Sequence, residues 1–549
     1  MKDSKILGWD EEMRLVSAAA SVLALLFFAF YLRHDSVLRY GDAVAHINIA
    51  RRVFDSKTPG VLQLGTVWLP LPHLLMIPFL VSKAAWESGA GGSVPSLVAY
   101  VFAVLGIFRL VRGSLSLLPG VASRTAAYLG AIILGANPNL IYLSTTAMTE
   151  PLYLALFIWA VLYFCEFIQG FDTGRRSAAS SLEKCALCLA CAEWTRYDGW
   201  LLAIVVSIAV TILVHVARGY GQNEATLGRA LRNFVLIVAA APTVWLAYNW
   251  AIYRNPLEFA TGPYSAREIE KRSATPGFPA HPGSHDVIAA GEYFLKAAED
   301  NLSGASFERG WLGIAILGSA LSLLLDRRLA AFWLLWLPFP FYALSIAYGG
   351  VPVFVPSWWP FSYYNVRYGI ELLPAAAVFF SVGIYFLSSM VDRRPAKALI
   401  VVLAMAWVAA SYVSVWRAQP VTLREAWVNS QSRIALEREL AANLRRLPAN
   451  STLLMYLGDH VGALQAAGIP LARVIQEGNH RTWRQPSDPA GLWERALADP
   501  GALADYAIGF DDDPVARSAR RHKLVPLIIV ETPGQRPATI FSTHTLGRE

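Results

Sequence analysis

Apolar stretches of about 17–23 residues recur between residue 15 and residue 416, the length that crosses a bilayer as a helix. The hydrocarbon core offers no water to the backbone. A chain that enters it repeatedly must satisfy its own peptide groups, which makes helices the building unit. The composition agrees: 55% of residues are hydrophobic and 16% are charged, where a soluble chain carries about 25% charged residues. After residue 416 the long apolar runs stop and charges return. Two parts are therefore expected, a membrane region over 1–416 and a soluble α/β region over 417–549.

The spans predicted from these runs are 15–32, 95–112, 124–143, 151–169, 184–197, 199–217, 231–252, 307–325, 329–348, 367–390 and 397–416. A further stretch, 66–82, contains Pro70, Pro72 and Pro78, which remove backbone donors and interrupt a helix. Charge decides how to treat it. Short connectors rich in Lys and Arg stay cytoplasmic. Here these are Arg109/Arg112/Arg124, Arg175/Arg176/Lys184, Arg218/Arg229/Arg232, Arg327/Arg328 and Arg393/Arg394, whereas connectors 144–150 and 349–366 carry no Lys or Arg. All basic connectors fall on one side only if 66–82 is an interfacial or re-entrant helix. The result is about eleven spans, with the N-terminus cytoplasmic and the C-terminal region extracytoplasmic. Segments 33–94 and 253–306 are then large outer loops, with an irregular Pro/Gly-rich piece at Thr275–Ser284. The run Leu15–Leu32 reads as a signal anchor in a cell (inner or plasma) membrane.

The net charge of +7 comes mainly from the connectors. No basic stripe with interleaved aromatics accompanies it, so a nucleic-acid partner is not expected. Cys165, Cys185, Cys188 and Cys191 lie in or beside apolar spans with no His nearby. They read as small packing residues rather than a metal cluster.

Four polar features stand out. Tyr40-Gly41-Asp42 opens a helical stretch in the first outer loop, with Asp42 at or near its N-cap and Asp42 and His46 on one face at i, i+4. Val44, Ile47 and Phe54 are expected on another face, against the membrane surface. Glu150 sits at the mouth of a span, immediately before Pro151. There a carboxylate either complements the helix N-terminus or faces Asp42 as a ligand for a divalent cation, Mg or Mn. Arg196-Tyr197-Asp198-Gly199 interrupts two apolar runs. Intramembrane charges of this kind mark function or a buried pair. Arg367 opens a span behind Trp358, Trp359, Tyr363 and Tyr364, which suits bidentate phosphate binding or an interfacial anchor. In the tail, Thr452–Leu457, Leu471–Gln476, Ala504–Ile508 and Val525–Val530 read as strands and 488–498 as a helix.

Taken in order, these features resemble the GT-C superfamily of integral-membrane glycosyltransferases, which includes protein O-mannosyltransferases, lipid A aminoarabinose transferase and oligosaccharyltransferase catalytic subunits. The likeness spans roughly residues 15–416. It rests on Asp42 after the first span, Trp68-Leu69-Pro70-Leu71-Pro72-His73, Met148-Thr149-Glu150-Pro151, the Arg196 break and Arg367-Tyr368-Gly369. It implies transfer of a sugar from a polyprenyl-phosphate or -diphosphate donor to a protein, lipid or glycan acceptor at the outer membrane face. Asp42 would be the base. Arg367, Tyr368, Arg196 and His73 would meet the donor phosphate, and His46 and Asp198 would be acceptor-side or auxiliary groups. The family often places a second acid directly after the first. Here that position is Ala43, so Asp55 or Glu150 would have to substitute. Trp358-Trp359 is followed by Pro360 rather than Asp, which argues against en bloc transfer to asparagine. The rival classes are a transporter or lipid flippase, for which repeated halves would be the mark, and a non-catalytic membrane scaffold.

Overall fold

A helix that is apolar on every side belongs inside a bundle, and three helices here meet that description. In the computed structural model, which describes residues 9–116, 118, 123–172, 177–217, 224–273, 280–304, 306–458, 460–479 and 488–544, they form the centre. Ala90–Leu115, Glu150–Phe171 and Val366–Ser389 are buried over 67%, 67% and 78% of their most apolar stretch, against 22% for Trp9–Arg33 and for Leu227–Tyr253. The first three pack through Ile107, Phe108, Leu154, Phe157, Val378 and Phe379; the other two form the rim. Among the described residues nine helices are long and apolar enough to span a bilayer. A tenth is the pair Ser123–Gly135 and Pro138–Ser144, bent by 61°. The chain is a multi-pass membrane protein. The remaining expected span, 184–197, falls on Ser177–Glu193, a 17-residue helix packed on the preceding helix, Glu150–Asp172, and on Glu224–Tyr253, two helices further along the chain.

Local sequence explains the breaks. Asn137 accepts from the amides of Asn139 and Leu140, both at 3.0 Å, and Pro138 starts the new helix. The stretch 66–82 forms only a six-residue helix, Leu71–Met76, and a 3-10 turn, Ile77–Phe79, too short to cross. At the opposite end of the bundle, Glu12 pairs with Arg112 and Arg124 at 3.4 and 2.8 Å. The start of the first helix and the first basic connector therefore share one face. Arg175, Arg176, Arg218 and residues 275–279 of the expected loop lie outside the described residues. The 253–306 segment also contains a helix that its composition did not suggest, Val287–Leu302, begun by Asp286 capping Ile288 and Ala289.

After Arg394–Ala418 the chain turns at Gln419-Pro420 into a second long helix, Val421–Leu444. A five-stranded sheet follows: β1 Leu453–Met455, β2 Val474–Ile475, β3 Tyr506–Phe510, β4 Val525–Val530 and β5 Ala538–Ser542, in the order β2-β1-β3-β5-β4. β1 is parallel to β2 and β3, and β5 is antiparallel to β3 and β4. The sequence reading lacks β5. That strand is short, and alternate residues Ala538, Ile540 and Ser542 face inward, so no continuous apolar run announces it.

Candidate functional site

The first loop helix, Gly41–Arg52, carries Asp42 in its first turn. The cap itself is Tyr40, without a side-chain capping bond. Asp42 is therefore not the helix cap. Its Oδ2 instead accepts from Arg367 Nη2 at 2.5 Å. Val44 and Ile47 are buried rather than turned to the membrane surface, while Phe54 is exposed. Ala43 is fully buried, so a second acid at this position would point into the core. Asp55 does not take that part either: it pairs with Arg51 at 2.8 Å and accepts from the Ala472 amide at 2.9 Å.

Arg367 is placed by a tight approach. It lies on the 3-10 turn Val366–Leu372, where a Cβ on Gly369 would collide with the Ala297–Ala298 backbone. Asn301 ties that turn down by donating to Val366 O at 2.7 Å. Asn137 and Asn139 both donate to Asn301 O, and Asn139 accepts from the Thr422 amide. Four elements from distant parts of the chain are thus fixed around one guanidinium. Its three nitrogens are all engaged: Nε with Glu150 at 3.1 Å, Nη1 with Glu425 at 3.2 Å, and Nη2 with Asp42.

Glu150 joins this centre to a second. Its Oε1 also meets Arg196 Nη1 at 3.3 Å. Arg196 pairs further with Asp198 and Glu371, each at 3.2 Å, and donates to the Tyr342 hydroxyl at 2.5 Å. Tyr368 lies between the two cations, its ring 4.9 Å from each guanidinium carbon. Gly199 is required at the break because a Cβ there would strike Ala192. Five carboxylates thus surround two guanidiniums. Four of them are sealed: the side chains of Glu371, Glu150, Glu425 and Asp198 are 0–2% exposed, whereas that of Asp42 is 42% exposed. Burial pushes the Glu425 carboxyl up, and Arg367 pulls against that shift.

A cavity of ≈ 770 Å³ opens in front of this network. Asp42 and Arg367 line it, together with Arg39, Arg52, Tyr253, Tyr264, Tyr456 and Glu477. Arg196, Asp198, Glu150, Tyr368, His46 and His73 do not. His46 and His73 are buried behind the wall, ring to ring at 2.9 Å, with His46 against Trp68. Burial, and then the field of Arg367, lowers the His46 pKa to about 3; burial, and then His46, lowers that of His73. Both rings are neutral near pH 7, and one donates to the other. Of the residues expected to meet a donor phosphate, Arg367 lines this cavity and His73, Tyr368 and Arg196 do not.

At Glu150, where a divalent cation was expected, the nearest charges are two guanidiniums. A carboxylate oxygen shared by two guanidiniums is the reverse of a metal ligand's surroundings. The second oxygen, Oε2, is buried without a partner, yet no group of three or more His, Cys, Asp or Glu among the described residues could hold an ion. The residues present do not fit a divalent cation at Glu150.

Sequence reasoning missed Glu371, Glu425, Tyr342 and Tyr40, whose hydroxyl donates to Thr422 O and to Glu425. Glu371 had a usable signal, since a carboxylate inside an apolar span is costly. Glu425 and the tyrosines had none.

No family model matches the sequence, and no curated protein matches it. Among solved structures, it is similar to ArnT from Cupriavidus metallidurans bound to undecaprenyl phosphate. The identity is 12% and the TM-score 0.58, covering 99% of this chain and 100% of that one. It is also similar to the same protein in the apo state, at 13% identity and a TM-score of 0.55 over 95% and 98%. At these identities the likeness establishes the fold alone: the chain shares the architecture of that protein along its length.

Proposed function

We propose, from a GT-C fold whose cavity exposes one acid of the buried network, that this protein moves a sugar from a polyprenyl-phosphate or -diphosphate carrier to an acceptor, at the extracytoplasmic face of the membrane. The observation that carries the reading is the contrast in exposure among five linked carboxylates: Asp42 and Glu425 both line the cavity, but the Asp42 side chain is 42% exposed and that of Glu425 1%. Its Oδ2 is held by Arg367, and its Oδ1 has no hydrogen bond among the described residues. An acceptor hydroxyl on Oδ1 is oriented and partly deprotonated there. Its oxygen attacks the anomeric carbon, and the bond from that carbon to the phosphate oxygen breaks with its electron pair leaving on the phosphate. The acceptor proton passes to Asp42. A lipid phosphate is already a good leaving group, so no second acid is needed. This differs from glycosidases, which set two carboxylates across the bond.

The ArnT structure with undecaprenyl phosphate supports this donor class. Against a transport reading, Arg196 and Arg367 are locked to carboxylates rather than strung along a path through the bundle. The test is transfer in membranes supplied with labelled polyprenyl-phosphate sugar. Asp42→Asn is expected to lower transfer by about 10²–10⁴-fold in a protein that still folds. Undiminished transfer by that variant would overturn the base assignment.

A further inference from the structure

Arg367 was the residue expected to meet the donor phosphate, but its nitrogens are already taken by three acids. Four arginines line the cavity: Arg39, Arg52, Arg367 and Arg433. Arg433 is also engaged, with Glu437 at 2.7 Å and with the carbonyls of Leu38 and Arg39, both at 2.9 Å. Nearby Arg438 pairs with Asp35 at 3.4 Å. Arg39 is different. Among the described residues it forms no ion pair, and its Nε is buried without a hydrogen-bond partner. Its guanidinium lies flat over Trp427, 3.5 Å from the ring centroid. A stacked guanidinium keeps its donor edge free and pre-oriented, the geometry suited to bidentate phosphate recognition. Burial first, and then the like charges of Arg438 and Arg433 against the opposing pull of Tyr142 and Asp35, disfavour its charged form, which an incoming anion would relieve.

Arg52 also forms no ion pair among the described residues, though Glu477 favours its charge; it donates to Gln476 at 2.9 Å, and its Nε is buried without a partner. Position separates the two. Arg52 follows Asp42 by ten residues on one helix, about 15 Å along the axis. Arg39 precedes Asp42 by three residues, and Trp427 lies on the helix that carries the Glu425 holding Arg367. The leaving phosphate is bonded to the carbon under attack, and reacting atoms sit about 3–3.5 Å apart. The phosphate therefore has to be near Asp42, which favours Arg39, three residues away, over Arg52 at the far end of the helix.

We propose that Arg39, held flat on Trp427, is the cation that grips the phosphate of the polyprenyl donor, while Arg367 is a positioning residue for Asp42. This rests on the donor class proposed above. The test uses the full chain in nanodiscs of uncharged lipid, with binding of undecaprenyl phosphate, undecaprenol and inorganic phosphate measured separately. Wild type is expected to prefer undecaprenyl phosphate to undecaprenol. Arg39→Gln should weaken that binding by about tenfold or more, with Arg39→Lys and Trp427→Leu falling between. Arg438→Gln, which removes a nearby exposed charge, should change it by less than about twofold. Equal binding by Arg39→Gln and wild type overturns the assignment of Arg39 and leaves the donor class standing. A wild type that does not distinguish undecaprenyl phosphate from undecaprenol, or that takes only inorganic phosphate, overturns the donor class and Arg39 with it.

Discussion

Arg196 and Arg367 are two versions of one arrangement. Each is a buried guanidinium with three carboxylates, and they share Glu150. Around Arg196 every acid is sealed; around Arg367 one acid, Asp42, is exposed in the cavity. Charge and burial alone mark both as candidate centres. Solvent access is what separates the one that can meet a substrate from the one that holds the bundle together. Buried ion pairs of the first kind add little net stability against an apolar replacement, but breaking one side is expensive because the partner charge is stranded.

The comparison can be broken most forcefully at Arg196. Arg196→Met strands Glu371, Asp198 and part of Glu150, and a loss of about 3–5 kcal/mol is expected, read as a collapse of the detergent-solubilised melting temperature. A variant as stable as wild type would mean the sealed centre is not structural. Glu150→Gln keeps the shape but removes the charge between two cations. A loss of about 2–3 kcal/mol is expected, with transfer and stability falling together. The histidine pair gives a pH signature. The folded pKa of His46 is near 3 and the unfolded value about 6.5. Between those limits the unfolded chain binds the extra proton, so stability falls as pH is lowered from about 6.5 toward 3, by up to about 1.4 kcal/mol per pH unit for this residue. Melting temperatures between pH 7.5 and 5 would show it, and His46→Phe should flatten the slope. Smallest of all, Asp42→Asn should cost less than about 1 kcal/mol of stability, since its ion pair is partly exposed. A large melting shift in that variant would erase the distinction between the two centres.

How much of this could be read beforehand follows from the range of each interaction. Spans depend on runs of neighbouring residues, so the helices were legible, as was the break at Arg196-Tyr197-Asp198. Asp42 was visible as an acid opening a loop helix. Its role was not, because the partner that frees it from capping, Arg367, lies 325 positions away. Arg196 and Glu150 looked like an isolated pair and a helix-end charge; only the fold makes them one network. Val44 and Ile47 were misplaced because an apolar stripe on a loop helix does not say whether lipid or protein covers it. Helix Val287–Leu302 was hidden because the Pro/Gly-rich stretch before it coloured the whole loop.

The helix Val421–Leu444 carries a consequence for how the molecule is made. Glu425, which completes the shell of Arg367, is translated after every span has been synthesised. Until that helix folds back, Arg367 lacks one of its three acids and Trp427 is not yet beneath Arg39. A partly synthesised chain already lodged in the bilayer therefore holds Asp42 in an unfinished setting, and its cavity is assembled by the last quarter of the polypeptide to arrive.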